Sequence, residues 1–302
     1  LTKDVKMRNT IKSMINGTII FRYNLPIENI EKSSLTTSQD KCYSISSNDD
    51  LANLIYNGIV EYALGEKHID INALDLYQRK AIKSRLRYDE KAFHDEKIKY
   101  GFYGEVVLDL VLQYAFSSCV LLAKGYFYNP LEASETKGYD SYQFYYDNNH
   151  LSLLFGEVKF YGNFRNAIKK ILDNLQKATS VDYLNKNVIA LINEKEKFDS
   201  IPLEISKIIE KWETNPDINI YEEAKRLNIK LHYPILVLYD YNGNSFDETI
   251  EFSIDIINTE VAQRRLEMEM DIELFFILIP VDNAKKIKET VIECVSLNKP
   301  LV

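Results

Sequence analysis

Residues 137–161 read KGYDSYQFYYDNNHLSLLFGEVKFY. Two runs of aromatic and aliphatic residues, 139–146 and 151–160, flank the turn sequence Asp147-Asn148-Asn149-His150. Runs of this kind are typical of β-strands, and Asn tolerates the positive φ angles that tight hairpin turns require. The stretch therefore predicts an antiparallel hairpin.

The turn also predicts the register of the two strands. With the two asparagines at the turn, Asp147 pairs with His150, and counting back from that pair places Asp140 opposite Glu157. Opposed residues on antiparallel strands have Cβ atoms about 5 Å apart, so two carboxylates there repel unless a positive charge lies between them. A divalent cation is the natural occupant of such a position.

A lysine stands beside the two carboxylates. Because strand side chains alternate between faces, Glu157 and Lys159 point to the same side. Asp140, Glu157 and the backbone carbonyl of Val158 offer hard oxygen ligands of the kind that Mg²⁺ prefers. Lys159 would position or help deprotonate a nucleophile, or stabilise developing negative charge. This pattern predicts the metal site of a nuclease.

An apolar helix candidate, Phe102–Phe116, precedes the hairpin. Glu105 and Asp109 are the only charged residues in 101–118, and a charge in an apolar helix must be paired, solvated or bound to a cation. In one interpretation Glu105 joins the metal site or orients its water. In the other, Glu105, Asp109 and Gln113 form the solvated stripe of the helix. Of the two acids, we expect Asp109 to be the solvated one.

The site residues also have ordinary structural interpretations. Asp140 could cap a loop, and Glu-x-Lys on a strand could be an exposed ion pair, a pattern that is common by chance. The combination is more specific than either part. It includes the strand pairing, the shared face, the glycine before Glu157, and the upstream helix that carries Glu105.

The chain of 302 residues is long enough for one large domain or for a catalytic core with an extension. Residues 1–90 show helical patterns and no catalytic motif, which predicts an accessory region followed by a nuclease-like domain over 91–302. The order of elements in the second part is helix, three strands, helix, strand, helix, strand. That order predicts an α/β sandwich around a mixed sheet. Helical patterns cover 51–64, 71–86, 164–177, 181–210, 221–227 and 282–295, and strand patterns cover 18–23, 119–128, 233–239 and 272–279.

Composition restricts the setting in which the protein works. The formal net charge is −8, which is unfavourable for a DNA-binding protein, because affinity comes largely from neutralising phosphates with Lys and Arg. This acidity argues for a partner that delivers the substrate. No apolar run approaches the roughly 20 residues of a membrane span, and no signal segment opens the chain, so we expect a cytoplasmic protein without membrane contact.

Several other chemistries find no support in the sequence. The three cysteines are widely spaced without a Cys-x-x-Cys pair, which indicates neither a disulfide framework nor a zinc site. No Gly-x-x-x-x-Gly-Lys-Ser/Thr loop, Gly-x-Ser-x-Gly elbow, His-Glu-x-x-His helix or dinucleotide fingerprint occurs. The chain is therefore not itself a P-loop ATPase.

The quoted motifs resemble a known group of nucleases. Gly104-Glu105 at the start of a leucine-rich helix, residues 137–140 and residues 155–161 together resemble the PD-(D/E)xK superfamily, and more narrowly HamA, the effector family of the Hachiman anti-phage defence system. The resemblance implies a restriction-endonuclease-like fold and a DNase. Its cofactor would be Mg²⁺, with Mn²⁺ as a substitute, and its partner a superfamily 2 helicase of the HamB type.

The resemblance carries over to particular residues. It implies Asp140, Glu157 and Lys159 as the catalytic set, Glu105 as a further member, and Asp140, Glu157 and the Val158 carbonyl as metal ligands, with Glu105 as an additional candidate. The sequence departs from the superfamily pattern at Tyr139, where the pattern has Pro.

Two other functions remain open from the sequence. A stand-alone restriction or repair endonuclease would bind DNA tightly by itself, which the net charge of −8 disfavours. A non-catalytic interaction subunit of a helicase complex would keep the fold without the reaction, and the intact Asp140, Glu157 and Lys159 argue against it.

Overall fold

The computed structural model describes residues 21–25, 33–34, 48–65, 73–115, 118–120, 128–129, 134–135, 138–147, 150–194, 202–240 and 246–298. The helices within these ranges are numbered in chain order. They are α1 (Asn48–Leu64), α2 (Leu74–Arg85), α3 (His94–Lys97), α4 (Phe102–Ala115), α5 (Phe164–Ala178), α6 (Val181–Ile192), α7 (Leu203–Glu213), α8 (Ile220–Arg226), α9 (Phe246–Ala262) and α10 (Ala284–Leu297).

The strands within the described ranges are numbered in the same way. They are β1 (Phe21–Leu25), β2 (Ser33–Ser34), β3 (Cys119–Val120), β4 (Tyr128–Asn129), β5 (Ser134–Glu135), β6 (Ser141–Asp147), β7 (His150–Tyr161), β8 (Lys230–Asp240) and β9 (Glu273–Val281). In the described part of the chain, β4 and β5 pair with each other, and the other strands form one seven-stranded sheet in the order β2-β1-β9-β8-β7-β6-β3.

The sheet is mixed, as the sequence predicts. The hairpin strands β6 and β7 pair antiparallel, whereas β7 with β8 and β8 with β9 pair parallel. Parallel neighbours need a crossover between them, and here the crossovers run through helices. The β8 and β9 strands are apolar runs buried on both faces, the pattern that covered parallel strands require.

Helices cover both faces of the sheet. One face packs on a core that contains α5, α6, α7 and parts of α9, and the other on a core that contains α1, α4 and α10. Along β7, Phe155 belongs to the first core and Val158 to the second, so the alternation of side chains divides the strand between two layers. The predicted α/β sandwich is confirmed.

The N-terminal region is mainly helical in its described part, as expected. Helix α1 packs against α4 and α10 within the second core, and β1 pairs with β9 at the edge of the sheet. The domain boundary expected near residue 90 stays a prediction. No helix among the described residues is long and apolar enough to cross a membrane.

Most element boundaries agree with the sequence patterns. The helical patterns over 181–210 correspond to two described helices, α6 and α7. Pro202 directly precedes α7, and the residue before a proline is restrained from helical geometry, which favours a separate start there. Asn163 caps α5, since its Oδ1 accepts the backbone N–H of Asn166 at 2.9 Å. Residues 121–127 of the expected strand 119–128 lie outside the described residues.

A glycine makes the contact between β7 and β8 possible. Pro234 in β8 has no N–H to donate, and the paired residues of the two strands skip this point. Gly156 lies directly across from it. A Cβ atom at Gly156 would lie 2.9 Å from the Pro234 carbonyl oxygen, closer than real Cβ atoms approach backbone, and 3.1 Å from the Pro234 Cγ. The small residue therefore sets the spacing of the strands that carry the site.

We expect Gly156→Ala to lower the free energy of unfolding by about 1–3 kcal/mol, because the added methyl forces β7 and β8 apart. Urea denaturation of the purified chain measures the change. The control is Gln176→Ala on the exposed face of α5, which should stay within about 0.5 kcal/mol of the wild type. Equal free energies of unfolding for the two variants would show that β8 can move away at Pro234 without a loss of stability.

Candidate active site

The hairpin register agrees with the register read from the sequence. Asp147 pairs with His150, and the ladder continues to Ser141 opposite Gly156. Asp140 stands one residue before the strand, where its N–H donates to the Gly156 carbonyl at 2.8 Å. Its Oδ2 accepts the backbone N–H of Val158 at 2.9 Å. The carboxylate therefore extends the hydrogen bonding of the hairpin past the end of β6, which fixes its position beside β7.

Glu157 is held from two sides. Its Oε2 accepts a hydrogen bond from the Tyr233 hydroxyl at 2.8 Å, and its Oε1 lies 2.5 Å from Lys159 Nζ. The same ammonium donates to the Val158 carbonyl at 3.3 Å. The side chains of Glu157 and Lys159 are 15% and 19% exposed. These contacts hold the Glu157 carboxylate and the Val158 carbonyl next to the Lys159 ammonium.

Electrostatics shows that both carboxylates act on the same lysine. Burial alone would lower the pKa of Lys159, but the negative charges of Glu157 and Asp140 outweigh burial and raise it above its ordinary value. Lys159 is therefore a positively charged ammonium at neutral pH. The pKa of Tyr233 is also raised, mainly by burial and further by Glu157, so its hydroxyl remains a hydrogen-bond donor.

Glu105 approaches the hairpin from α4, in the layer on the second core. Its side chain is buried, and the Tyr62 hydroxyl of α1 donates a hydrogen bond to its Oε2. Gly104 brings the helix close to β7, since a Cβ atom there would lie 2.8 Å from Val158 Cγ2. The solvated-stripe interpretation is therefore wrong for Glu105, which is a buried and hydrogen-bonded carboxylate.

Asp109 was expected to be the solvated acid of α4, and this expectation is wrong. The residue is 7% exposed. The side-chain amide of Gln113 donates to its Oδ2 at 2.7 Å, and that of Gln143 donates to its Oδ1 at 2.7 Å. The acid is buried because β6 supplies a polar partner, Gln143, in place of water. It fastens α4 to the hairpin.

A cleft of about 560 Å³ opens at the carboxyl ends of β7 and β8. Four of the predicted residues line it, namely Glu105, Asp140, Val158 and Lys159. The fifth, Glu157, is not part of the lining but contacts Lys159, which is. Ligands of α/β sheets bind outside the carboxyl ends of the strands, which is where this cleft lies. Other residues of the lining are Lys99, Tyr100, Tyr161, Asp240, Lys285 and Lys288.

The donor atoms at this position fit a hard divalent cation. Asp140, Glu157 and the Val158 carbonyl offer oxygen ligands, and each carboxylate oxygen keeps acceptor capacity beyond one hydrogen bond. Among the described residues, no group of three or more His, Cys, Asp or Glu is arranged to hold a metal. A cation here would rest on two carboxylates, with carbonyl, water or phosphate oxygens completing its coordination.

Tyr139 anchors the turn that carries Asp140. Its hydroxyl donates to the Ala178 carbonyl at 2.6 Å, and its ring contacts the Tyr183 ring edge-on at a centroid distance of 5.0 Å. The ring also packs against Phe155, at 4.8 Å between centroids. A buried aromatic side chain thus restrains the backbone that a proline would stiffen by fixing its φ angle.

Sequence reasoning missed three residues that shape the site: Tyr62, Tyr233 and Lys288. Tyr233 lies two positions before Ile235, the parallel partner of Glu157, and on the same face of the sheet. A known β7–β8 register would have identified it. Tyr62 and Lys288 reach the site by packing of α1 and α10, for which the sequence carries no local signal.

The fold and the site define an α/β protein in which a mixed sheet presents two carboxylates and a lysine beside a cleft at the carboxyl ends of β7 and β8. The chain belongs to the HamA family, whose model matches residues 21–294. This membership identifies it as a protein associated with Hachiman anti-phage defence. The comparisons with curated proteins and with solved structures gave no match.

We expect Mg²⁺ to raise the thermal midpoint of Lys159→Met more than that of the wild type. Removing the ammonium leaves Asp140 and Glu157 without their shared positive charge, and a cation that binds only the folded state stabilises it. Differential scanning fluorimetry with and without Mg²⁺ measures the shift. Lys186→Met, which removes an exposed lysine paired with Asp182, is the control. The absence of a larger shift in Lys159→Met would refute a shared cation site.

Proposed function

We propose that this chain is a metal-dependent deoxyribonuclease that hydrolyses phosphodiester bonds in a Hachiman defence complex and works with a helicase that controls it. One observation carries the proposal. Asp140, directly before β6, and Glu157 on the antiparallel strand β7 both act on the Lys159 ammonium, and the group borders an open cleft. Carboxylates and a lysine gathered at a cleft, and not in the core, are typical of catalysis.

Each residue has a role that its contacts support. Asp140, Glu157 and the Val158 carbonyl would hold Mg²⁺, for which Mn²⁺ would substitute. The cation would supply Lewis acidity, lowering the pKa of a water and balancing charge on the phosphate. Lys159, which Glu157 and the Val158 carbonyl orient, would stabilise the negative charge that develops on the phosphoryl oxygens.

Glu105 and Tyr233 would complete this arrangement from opposite layers. The Tyr233 hydroxyl restrains the Glu157 carboxylate through Oε2, and Tyr62 restrains Glu105 in the same way. Glu105 lines the cleft near Val158 and would orient the attacking water or add a further ligand. Preorganised side chains of this kind do not need to rearrange during the reaction, which is how an enzyme lowers the barrier.

The charge of the chain supports a substrate delivered by a partner. At a net charge of −8 the protein as a whole repels nucleic acid, although lysines line the cleft. Membership of the HamA family implies a Hachiman helicase partner. A helicase that feeds a DNA strand into the cleft would supply the affinity that this surface lacks and would determine when cleavage begins.

We expect Glu157→Gln to reduce Mg²⁺-dependent DNA cleavage by about 100-fold or more, because a neutral amide ligates a hard cation poorly and no longer holds Lys159. Degradation of a labelled DNA by the chain with its helicase partner measures the rate. Glu251→Gln, an exposed carboxylate on α9, is the matched control and should cleave like the wild type. Wild-type cleavage by purified Glu157→Gln would reject the assignment.

We also expect the isolated chain to bind DNA only weakly at physiological salt. The reason is electrostatic, since a net charge of −8 leaves few cations to release counterions from the phosphates. A fluorescence anisotropy titration of the chain alone measures the affinity. Sub-micromolar binding together with full cleavage in the absence of any partner would favour a stand-alone endonuclease instead.

A further inference from the structure

A second lysine, Lys288, lines the cleft from α10. Lys288 lies in the second turn of α10, and its Nζ donates to the Phe160 carbonyl at 3.0 Å. The ammonium also lies 4.7 Å from the centroid of the Phe160 ring and 5.8 Å from that of Tyr103. Phe160 directly follows Lys159 on β7, so Lys288 is bound to the strand that carries the candidate active site.

The charge of Lys288 is incompletely compensated by the protein. Burial lowers the pKa of its ammonium to about 8, and the nearby charge of Asp240 counteracts this only in part. Within the described part of the chain Lys288 forms no ion pair, whereas Lys285 on the same helix lies 3.8 Å from Glu289. A desolvated cation that has no carboxylate within ion-pair distance, at an open cleft, is suited to binding an anion.

We propose that Lys288 binds a non-bridging phosphate oxygen of the DNA strand, at a phosphate next to the one that faces Asp140 and Lys159. This inference rests on the proposed nuclease function and names a contact that positions its substrate.

The geometry favours a phosphate as the ligand. An ammonium has three N–H donors, and one of them is directed at the Phe160 carbonyl. Lys99, Lys159 and Lys285 line the same cleft, so successive phosphates of one strand would meet several cations. The volume of about 560 Å³ exceeds the need of a single phosphate ion and suits a short segment of a strand.

The test measures binding and not cleavage. A fluorescent single-stranded oligonucleotide is titrated with the full chain in EDTA, from low salt upwards, for the wild type, Lys288→Met, Lys288→Arg and Lys286→Met. Lys286 is exposed on the same helix and is not part of the cleft lining, so its variant controls for the loss of one positive charge. Inorganic phosphate is titrated separately as a competitor.

We expect Lys288→Met to weaken binding by about tenfold at low salt and to make the slope of log affinity against log salt shallower by about 0.7, the value for one phosphate contact on a single strand. Lys288→Arg should retain most of the affinity, and Lys286→Met should match the wild type. Millimolar inorganic phosphate should not displace the oligonucleotide from the wild type, once the ionic strength that the phosphate adds is matched with salt.

Two further readouts separate substrate binding from a structural role. Lys288→Met should keep or raise the thermal midpoint, because it removes a desolvated charge, whereas a structural lysine would lower it when replaced. Wild-type affinity should fall as pH rises through about 8, while Lys288→Arg stays charged. Asp240 from β8 and Tyr103 from α4 face Lys288, and burial raises the pKa of Tyr103 so that it stays neutral. The other titratable side chains that line the same cleft are Lys99, Tyr100, Glu105, Asp140, Lys159, Tyr161 and Lys285.

Three results would overturn the inference. They are unchanged binding by Lys288→Met, an equal loss in Lys286→Met, and a lowered thermal midpoint that Lys288→Arg does not restore. Strong competition by inorganic phosphate would assign Lys288 to a free anion instead of a DNA strand. The proposed function has its own test, because wild-type cleavage by Glu157→Gln would reject the nuclease assignment without changing the binding results for Lys288.

Discussion

The alignment of β6 with β7 is the constraint on which the candidate site depends. A slip of one residue would turn every side chain of one strand to the other face and separate Asp140 from Glu157. The turn starts this alignment, and buried aromatic pairs maintain it, since Tyr142 lies opposite Phe155 and both belong to the core beneath. The free energy that fixes the register thus comes from hydrophobic packing, which leaves the two carboxylates free to be arranged for chemistry.

Side chains on both faces of the sheet contribute to the candidate active site. Tyr233 contacts Glu157 on the face that packs on α5 and α6, and Gly104, the residue before Glu105 on α4, lies against Val158 on the other face. Two glycines make this approach possible, Gly156 between β7 and β8, and Gly104 between α4 and β7. Because the close contacts are backbone and apolar, the spacing of the site is set by rigid elements and not by loops.

The sequence was sufficient for what depends on local spacing. A single turn was enough to predict that Asp140 lies opposite Glu157. The strands β8 and β9 could be predicted from continuous apolar runs, which are typical of strands covered on both faces. Contacts between distant segments could not be read in this way. Tyr233 is 76 residues from Glu157, and their contact depends on a parallel register that no turn specifies. The error at Asp109 has the same cause, since a polar stripe on a helix does not show whether water or Gln143 will face it.

The distribution of charge explains how an acidic chain could still hold a phosphodiester. Charge interactions are screened beyond about 8 Å at physiological salt, so the charges that line the cleft decide its contact with DNA. The net charge of −8 acts mainly by leaving little basic surface elsewhere. Lysines and acids alternate around that cleft, with Lys99, Lys159, Lys285 and Lys288 among Glu105, Asp140 and Asp240. Such a site is nearly balanced in charge, so a strand brought there gains specific contacts without a broad basic surface. A proposed partner that delivers the strand would therefore supply the affinity for DNA that the acidic surface lacks. The short-range contacts of the cleft would then decide which phosphate is cleaved.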